Sequence, residues 1–199
     1  MKYKFFLALC LATVSSFGYS QEVTQAAKDV DQLLVKISKL NIVKYVTPLL
    51  LKKTQLNALM STIEKCHAKQ NEIVALDAME FKKQKLEAEV DRALEEALND
   101  GSYPKRELQG KIIKIQDAIL MRRKIATNEM VEMLLATCKK ELNEGQLSAM
   151  RNLTDPNYVE GETKASKLPD DEKTKLYIRE ILLSPLTYDI FKQLAKHAQ

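Results

Sequence analysis

Residues 99–104 read Asn-Asp-Gly-Ser-Tyr-Pro, the only strong chain-reversal signal in the middle of this 199-residue sequence. Asn, Asp, Gly and Pro each favour turns for a separate backbone reason. The preceding stretch has no Gly or Pro between Leu49 and Asn99 and is rich in strong helix formers. The run therefore predicts a turn between two antiparallel helices, in which residues whose numbers add up to 204 face each other.

Apolar residues recur on both sides of this turn, mostly in steps of three and four, as in amphipathic helices. The first arm starts at Thr47 and Pro48, with Thr as the cap, and the second starts at Pro104. The stripe stutters near Ile73 to Leu76, which predicts a bend or a helix break there. Strand signals are absent. The sequence thus predicts an all-α fold, a long antiparallel helical hairpin with shorter flanking helices.

The flanks carry shorter helical patterns. An amphipathic helix is predicted over residues 22–40, and the chain loses periodicity after Leu153. Pro169 followed by three acidic residues indicates a helix start. We expect that helix to stop near Ser184-Pro185 and a last helix to begin at Thr187. The predicted organisation is a hairpin domain over 21–155, a linker over 156–168 and a C-terminal helical extension over 169–199.

The first twenty residues have the layout of a secretory signal peptide. Lys2 and Lys4 precede an apolar run that is too short to span a membrane, and a small, polar stretch ends at Ser20. Removing this segment, which contains Cys10, leaves 29 basic and 27 acidic residues, a net charge of +2. We therefore expect a periplasmic protein, or a secreted one, without stable membrane insertion and without a charge that implies nucleic acid.

Cys66 and Cys138 are the cysteines that remain after signal removal, and their numbers add up to 204. Both lie on the apolar stripes of their arms. An even number of cysteines in an oxidising compartment favours a disulfide, here one that would clamp the hairpin. The alternative is two separate buried thiols.

The sequence offers little for catalysis or metal binding. His67 and His197 are the two histidines and lie far apart, which argues against a Ser-His-Asp arrangement or a histidine-rich metal site. His67 beside Cys66 lacks further matched ligands. Acidic residues between 87 and 96 fit a solvated helix face better than paired catalytic acids. We therefore expect no enzyme activity, no cofactor and no bound metal.

One charged region combines basic and apolar residues on both predicted arms. It is either an ordinary exposed helix face or a basic band that attracts acidic, partly unfolded chains and holds them by apolar contact. Its candidate client-binding residues are Phe81, Lys82, Lys83, Lys85, Met121, Arg122, Arg123 and Lys124.

The segment from Leu142 through Asn143 to Gln146 resembles the LTxxQ motif of the Spy/CpxP family of periplasmic stress proteins, with Asn143 in place of Thr. As a capping box, Asn143 caps a helix and Gln146 reaches back to it, so a short helix is expected from there to about Leu153. Leu51 and Gln55 take the place of the family's earlier motif, although Lys52 cannot cap. The resemblance covers about residues 45–153.

The resemblance implies an all-helical cradle, typically a homodimer, that binds unfolding or envelope-stress clients without ATP. Relatives in the same fold group sense or sequester metals, a branch that two histidines argue against. A long-hairpin chaperone like Skp would need a β-stranded base, for which the sequence has no signal. A second class stays open, an exported scaffold or adaptor that docks one specific envelope partner.

Overall fold

The computed structural model describes residues 25–83, 85–154, 159–160 and 163–198. Seven α-helices occur in these residues, so the all-α class is confirmed. None of the described helices is both long enough and apolar enough to cross a membrane. The predicted signal peptide lies outside the described residues. The chain divides into two units, residues 1–37 and 38–199, and helix α1 (Gln25–Val46) runs through the boundary.

The first arm of the hairpin starts later than the sequence predicts. A 3₁₀ turn over Thr47–Leu49 follows α1, and helix α2 spans Lys53–Lys83. The Thr47 hydroxyl donates to the Val43 carbonyl oxygen at 2.8 Å, so it completes the end of α1 and does not cap α2. Leu50 then adopts a left-handed conformation with φ 47°. The predicted start of the arm at Thr47 is therefore wrong.

No helix break occurs near Ile73, because α2 continues through it to Lys83. The first arm breaks instead at Lys85, whose φ is 48°, and helix α3 follows over Leu86–Asp100. Asp77 explains the difference. It is only 3 % exposed and lies four residues after Ile73, so a charged residue continues the buried stripe that seemed to stutter.

The predicted turn at 99–104 is confirmed. Gly101 ends α3 in the left-handed conformation, with φ 67°, and its N–H donates to the Ala97 carbonyl at 3.0 Å. Glycine suits this position because it carries no Cβ penalty there. Helix α4 spans Arg106–Glu141, and the Gln109 amide donates to the Pro104 carbonyl at 2.7 Å.

Side-chain pairs fix a different register between the two arms from the one predicted. The Thr62 and Thr137 hydroxyls lie 2.9 Å apart, Lys69 pairs with Glu129, and Lys111 pairs with Glu89 at 3.0 Å. The numbers in these pairs add up to between 198 and 200, not 204. The second arm is therefore displaced by about five residues, or about 7 Å along the helix axis, from the predicted alignment.

After the hairpin, the residues that the structure describes form short helices and one minimal β-hairpin. Helix α5 spans Glu144–Leu153, α6 spans Asp170–Tyr177 and continues as a π-helical turn over Ile178–Leu182, and α7 spans Thr187–Leu194. The starts predicted at Pro169 and Thr187 are confirmed. Within the predicted linker, β1 (Val159–Glu160) pairs antiparallel with β2 (Thr163–Lys164), two strands that the sequence did not signal.

The main hydrophobic core lies at the base of the hairpin and includes the C-terminal helices. Its most deeply buried side chains come from α2, α4, α5, the end of α1 and residues 176–191, among them Val46, Leu56, Leu59, Ile63, Leu134, Met150, Tyr177, Ile178 and Phe191. The Tyr177 hydroxyl also donates to the Tyr45 carbonyl at 2.8 Å. Residues 169–198 therefore complete the core of the 38–199 unit and are not a separate extension.

Candidate functional site

The two Leu-x-x-x-Gln segments, predicted from separate parts of the sequence, meet at the base of the hairpin. Gln146 is 9 % exposed, and Gln55 is half-buried. The Gln55 amide nitrogen donates to the Gln146 side-chain oxygen at 3.0 Å, and the Gln146 amide nitrogen donates back to Gln55 at 3.1 Å. We call this reciprocal pair the glutamine clasp.

The clasp also binds the backbone of the neighbouring segment on each side. Gln55 donates to the Glu141 carbonyl at 2.7 Å, at the end of α4, and Gln146 donates to the Leu49 carbonyl at 2.9 Å. Backbone carbonyls that lack helical partners need such donors when they are buried. Each glutamine therefore supplies a hydrogen-bond donor to a backbone carbonyl of the opposite segment.

The capping box predicted at Asn143 is confirmed. The Asn143 side-chain oxygen accepts from the Gln146 N–H at 2.9 Å, and the Gln146 side chain accepts from the Asn143 N–H at 3.0 Å. At the first motif, Gln55 accepts from the Lys52 N–H at 3.0 Å, but Lys52 supplies no cap in return. The earlier motif therefore retains only the glutamine half of the box. Leu142 is buried and Leu51 is half-buried against the core.

The predicted disulfide is absent, and Cys66 and Cys138 are free, fully buried thiols. The register explains this, because the displacement of about 7 Å along the axis separates the two cysteines. The Cys66 thiol instead points to the Met130 carbonyl, with Sγ and O 3.8 Å apart. Burial raises the pKa of Cys66, and it raises the pKa of Cys138 to about 12. Neither thiol has the lowered pKa of a reactive cysteine.

An ionic cluster occupies the interior of the hairpin about midway along the first arm, in the last third of α2. The buried Asp77 carboxylate accepts from the Arg123 Nε at 2.9 Å and also from Arg122. Asp77 is the last buried side chain of α2, after Cys66, and a second small apolar cluster begins beyond it with Leu86 and Ile119. The two apolar clusters are thus separated by a polar layer.

Exposed apolar side chains flank this cluster on both edges of the hairpin. The Lys69–Glu129 ion pair marks one edge of the hairpin. Leu76 lies seven residues after Lys69 and Ile125 lies four residues before Glu129, so helical spacing puts both on the same edge. Leu76 is 43 % exposed and Ile125 51 %. The register puts them at one level, since their numbers add up to 201.

The opposite edge carries a second pair at its own level. This pair consists of Phe81 and Leu120, whose numbers also add up to 201. Phe81 lies one turn beyond Asp77, and Leu120 lies three residues before Arg123. Phe81 is 43 % exposed and Leu120 59 %. We call these two apolar pairs, with the outward-facing Met79 and Met121, the mid-hairpin belt. Met79 and Met121 are 65 % and 59 % exposed.

The structure changes the predicted basic band in two respects. Arg122 and Arg123, whose side chains are 29 % and 47 % exposed, both pair with the buried Asp77, so one of their two positive charges is balanced there. Lys82, Lys83, Lys85 and Lys124 are exposed, but the corrected register displaces the three α2–α3 lysines along the axis from residues 122–124. The sequence-based reasoning missed Asp77, Leu76 and Leu120. Asp77 had a signal, because a lone acid at the spacing of the buried stripe, on the arm opposite two arginines, indicates a buried ion pair.

His67 packs against Tyr188 of α7, with ring centroids 6.2 Å apart, and the Tyr188 hydroxyl donates to Glu64. Within the described part of the chain, no three His, Cys, Asp or Glu side chains come together in a way that would hold a metal ion.

In comparisons with known proteins, the chain matches no family model, and no curated protein or solved structure is significantly similar to it.

Proposed function

We propose that the protein is a periplasmic, ATP-independent chaperone-like protein that holds unfolded or stress-damaged envelope proteins on the mid-hairpin belt. The observation that supports this proposal is the belt itself, six apolar side chains that are each 43 % to 65 % exposed along the middle of the hairpin. The belt is a ring of separate exposed apolar side chains around the hairpin, and an extended unfolded chain can contact several of them at once.

The charges beside the belt fit the same task. Lys82 and Lys83 end α2, Lys85 follows, and Lys124 lies next to Ile125 on α4. Exposed cations of one sign raise the rate at which acidic chains arrive, and the effect weakens with salt. Apolar contact then holds the chain. A surface of this kind discriminates weakly between sequences, as a general chaperone requires.

The proposal is tested by aggregation of several unrelated denatured proteins in the presence of the purified chain. We expect suppression without ATP. Replacing Phe81 and Leu120 with Ser should reduce suppression several-fold. The matched control replaces Leu94 and Leu98 with Ser. These residues are 57 % and 78 % exposed on α3 near the turn, and the control variant should retain most of the suppression.

Three outcomes separate the alternatives. No suppression with any client overturns the chaperone proposal. Equal losses in the two double variants overturn the belt as the binding surface. A single stoichiometric partner in a pull-down, with no effect on unrelated clients, supports the adaptor instead. Cell fractionation and N-terminal sequencing of the exported protein test the periplasmic assignment and the cleavage after Ser20.

A further inference from the structure

Helix α1 carries an apolar stripe that stays exposed over the first part of its length. Val30 is 56 % exposed, Leu33 57 %, Ile37 44 % and Leu40 68 %. These residues are spaced three and four apart and therefore lie on one face of the helix. Among the side chains of α1 that the structure describes, from residue 27 on, buried ones appear only from Ile42 onward. The stripe is thus an apolar face of α1 whose side chains are about half exposed.

The residue types on this stripe follow a heptad pattern. Val30 and Ile37 take the first position of successive heptads, and Leu33 and Leu40 take the fourth. In sequence, Val23 and Ala26 extend the pattern by one heptad toward the N-terminus. β-Branched residues at the first position with Leu at the fourth favour parallel, two-stranded coiled coils over higher oligomers.

We propose that α1 binds the α1 of a second copy of this chain as a short parallel coiled coil. The charges beside the seam permit this pairing. In a parallel pair, Asp29 of one chain faces Leu34 of the other, and Lys36 faces Asn41, so no like charges are opposed. Lys44 takes the next first position, where two ammonium groups would meet, and this limits the seam to residues before it.

The size of the stripe sets the strength of the association. Five half-exposed side chains, including Leu34 at 55 %, present apolar surface from one turn to the next. With about 100 Å² from each, two copies would bury about 1,000 Å² in total, at the small end of specific interfaces. The dimer should therefore dissociate on dilution.

Sedimentation velocity of the full-length chain over a concentration series tests the pairing. We expect Leu33→Asp to remain monomeric at concentrations where the unsubstituted chain is dimeric. Gln32→Asp adds the same charge one residue away, on the opposite face of the helix, and should leave the dimer intact. Circular dichroism of both variants checks that the fold is retained. A monomeric unsubstituted chain at every concentration, or equal effects of the two variants, overturns the proposal.

Cysteine cross-linking tests the parallel arrangement, in which first-position residues of the two copies face each other. In a Cys10→Ser background, Val30→Cys should form a disulfide-linked dimer under a mild oxidant, whereas Gln32→Cys should not. Cys66 and Cys138 are fully buried and do not interfere. Failure of Val30→Cys to cross-link overturns the parallel pairing.

Vesicles test the other occupant of such a stripe, a membrane surface. If the chain is monomeric and binds vesicles of anionic phospholipid, and Leu33→Asp abolishes that binding, the stripe is a lipid-binding face and the coiled coil is excluded. The inference is independent of the proposed function, because the belt lies on other helices.

Discussion

Replacing Gln146 with Ala should lower the free energy of unfolding by about 3 kcal/mol. The Gln146 side chain accepts from the Asn143 N–H, donates to the Leu49 carbonyl, and exchanges hydrogen bonds with Gln55. A hydrogen bond of this kind contributes about 1 kcal/mol net, and a buried partner left unsatisfied costs more. For a chain of this size, the midpoint of thermal unfolding should fall by about 6 to 12 °C.

The comparison with Asn143→Ala separates the clasp from simple helix capping. The backbone N–H of Gln146 donates to the Asn143 side chain, and this bond survives in Gln146→Ala. Asn143→Ala removes the cap but leaves the glutamine clasp and the hydrogen bond from Gln146 to the Leu49 carbonyl. It should therefore lower the free energy of unfolding by about 1 kcal/mol. If capping were the whole role of the motif, the two variants would have similar stabilities.

Urea unfolding followed by circular dichroism provides the measurement, with Gln116→Ala as the matched control. Gln116 is exposed on α4, and its replacement should change stability by less than about 0.5 kcal/mol. A double-mutant cycle with Gln55→Ala should show coupling of about 1 to 2 kcal/mol, since the reciprocal bonds are lost only once. Additive effects, or a Gln146→Ala cost below about 1 kcal/mol, would refute the clasp as a tertiary tie.

Three further changes probe the interior. Asp77→Asn should destabilise the protein by about 2 kcal/mol in urea, because the charge-assisted hydrogen bonds from Arg122 and Arg123 to the buried carboxylate are lost or weakened, whereas Asp117→Asn on the exposed face should have little effect. Tyr177→Phe should cost about 1 kcal/mol, since the Tyr45 carbonyl loses its donor, and a cost near zero would show that water replaces the hydroxyl. Unreduced protein without the predicted signal peptide should yield two free thiols, which label only after unfolding, whereas thiols that stay unlabelled after unfolding would support the disulfide. Burial raises the pKa of the Cys138 thiol to about 12, whereas the thiol of the unfolded chain ionises near 9. The free energy of unfolding should therefore be unaffected by this thiol below pH 9 and should fall as the pH rises from about 9 to about 12. Cys138→Ala should therefore flatten the decline of stability in that range.

Local signals in the sequence predicted local features well. The turn residues at 99–104, the box at Asn143 and the acidic start after Pro169 each act through neighbouring backbone groups, so one segment contains the whole cause. The structure has all three. The β1–β2 hairpin was missed because strands of two residues are too short to show an alternating pattern.

The register of the hairpin could not be predicted from its turn. The five-residue connection at 101–105 lets the second helix begin at several axial positions, and pairs distant in sequence select among them. Matching apolar stripes cannot choose either, because positions three or four residues away are also apolar. The residue numbers of the two cysteines add up to 204 and suggested an alignment of the arms at that value. The pairing of Asp77 with Arg122 and Arg123 on α4 excludes it.

Polar pairs distributed along the hairpin explain how it keeps one register while its apolar edges stay exposed. The glutamine clasp joins the arms at the base, Asp77 joins them midway, and Glu89 joins Lys111 nearer the turn. Sliding α4 by one helical turn would leave Asp77 buried without its arginines, at a cost of several kcal/mol. Apolar contacts across the middle are therefore not needed to align the arms. Leu76, Phe81, Leu120 and Ile125 can remain at the edges, where the proposed clients would bind them.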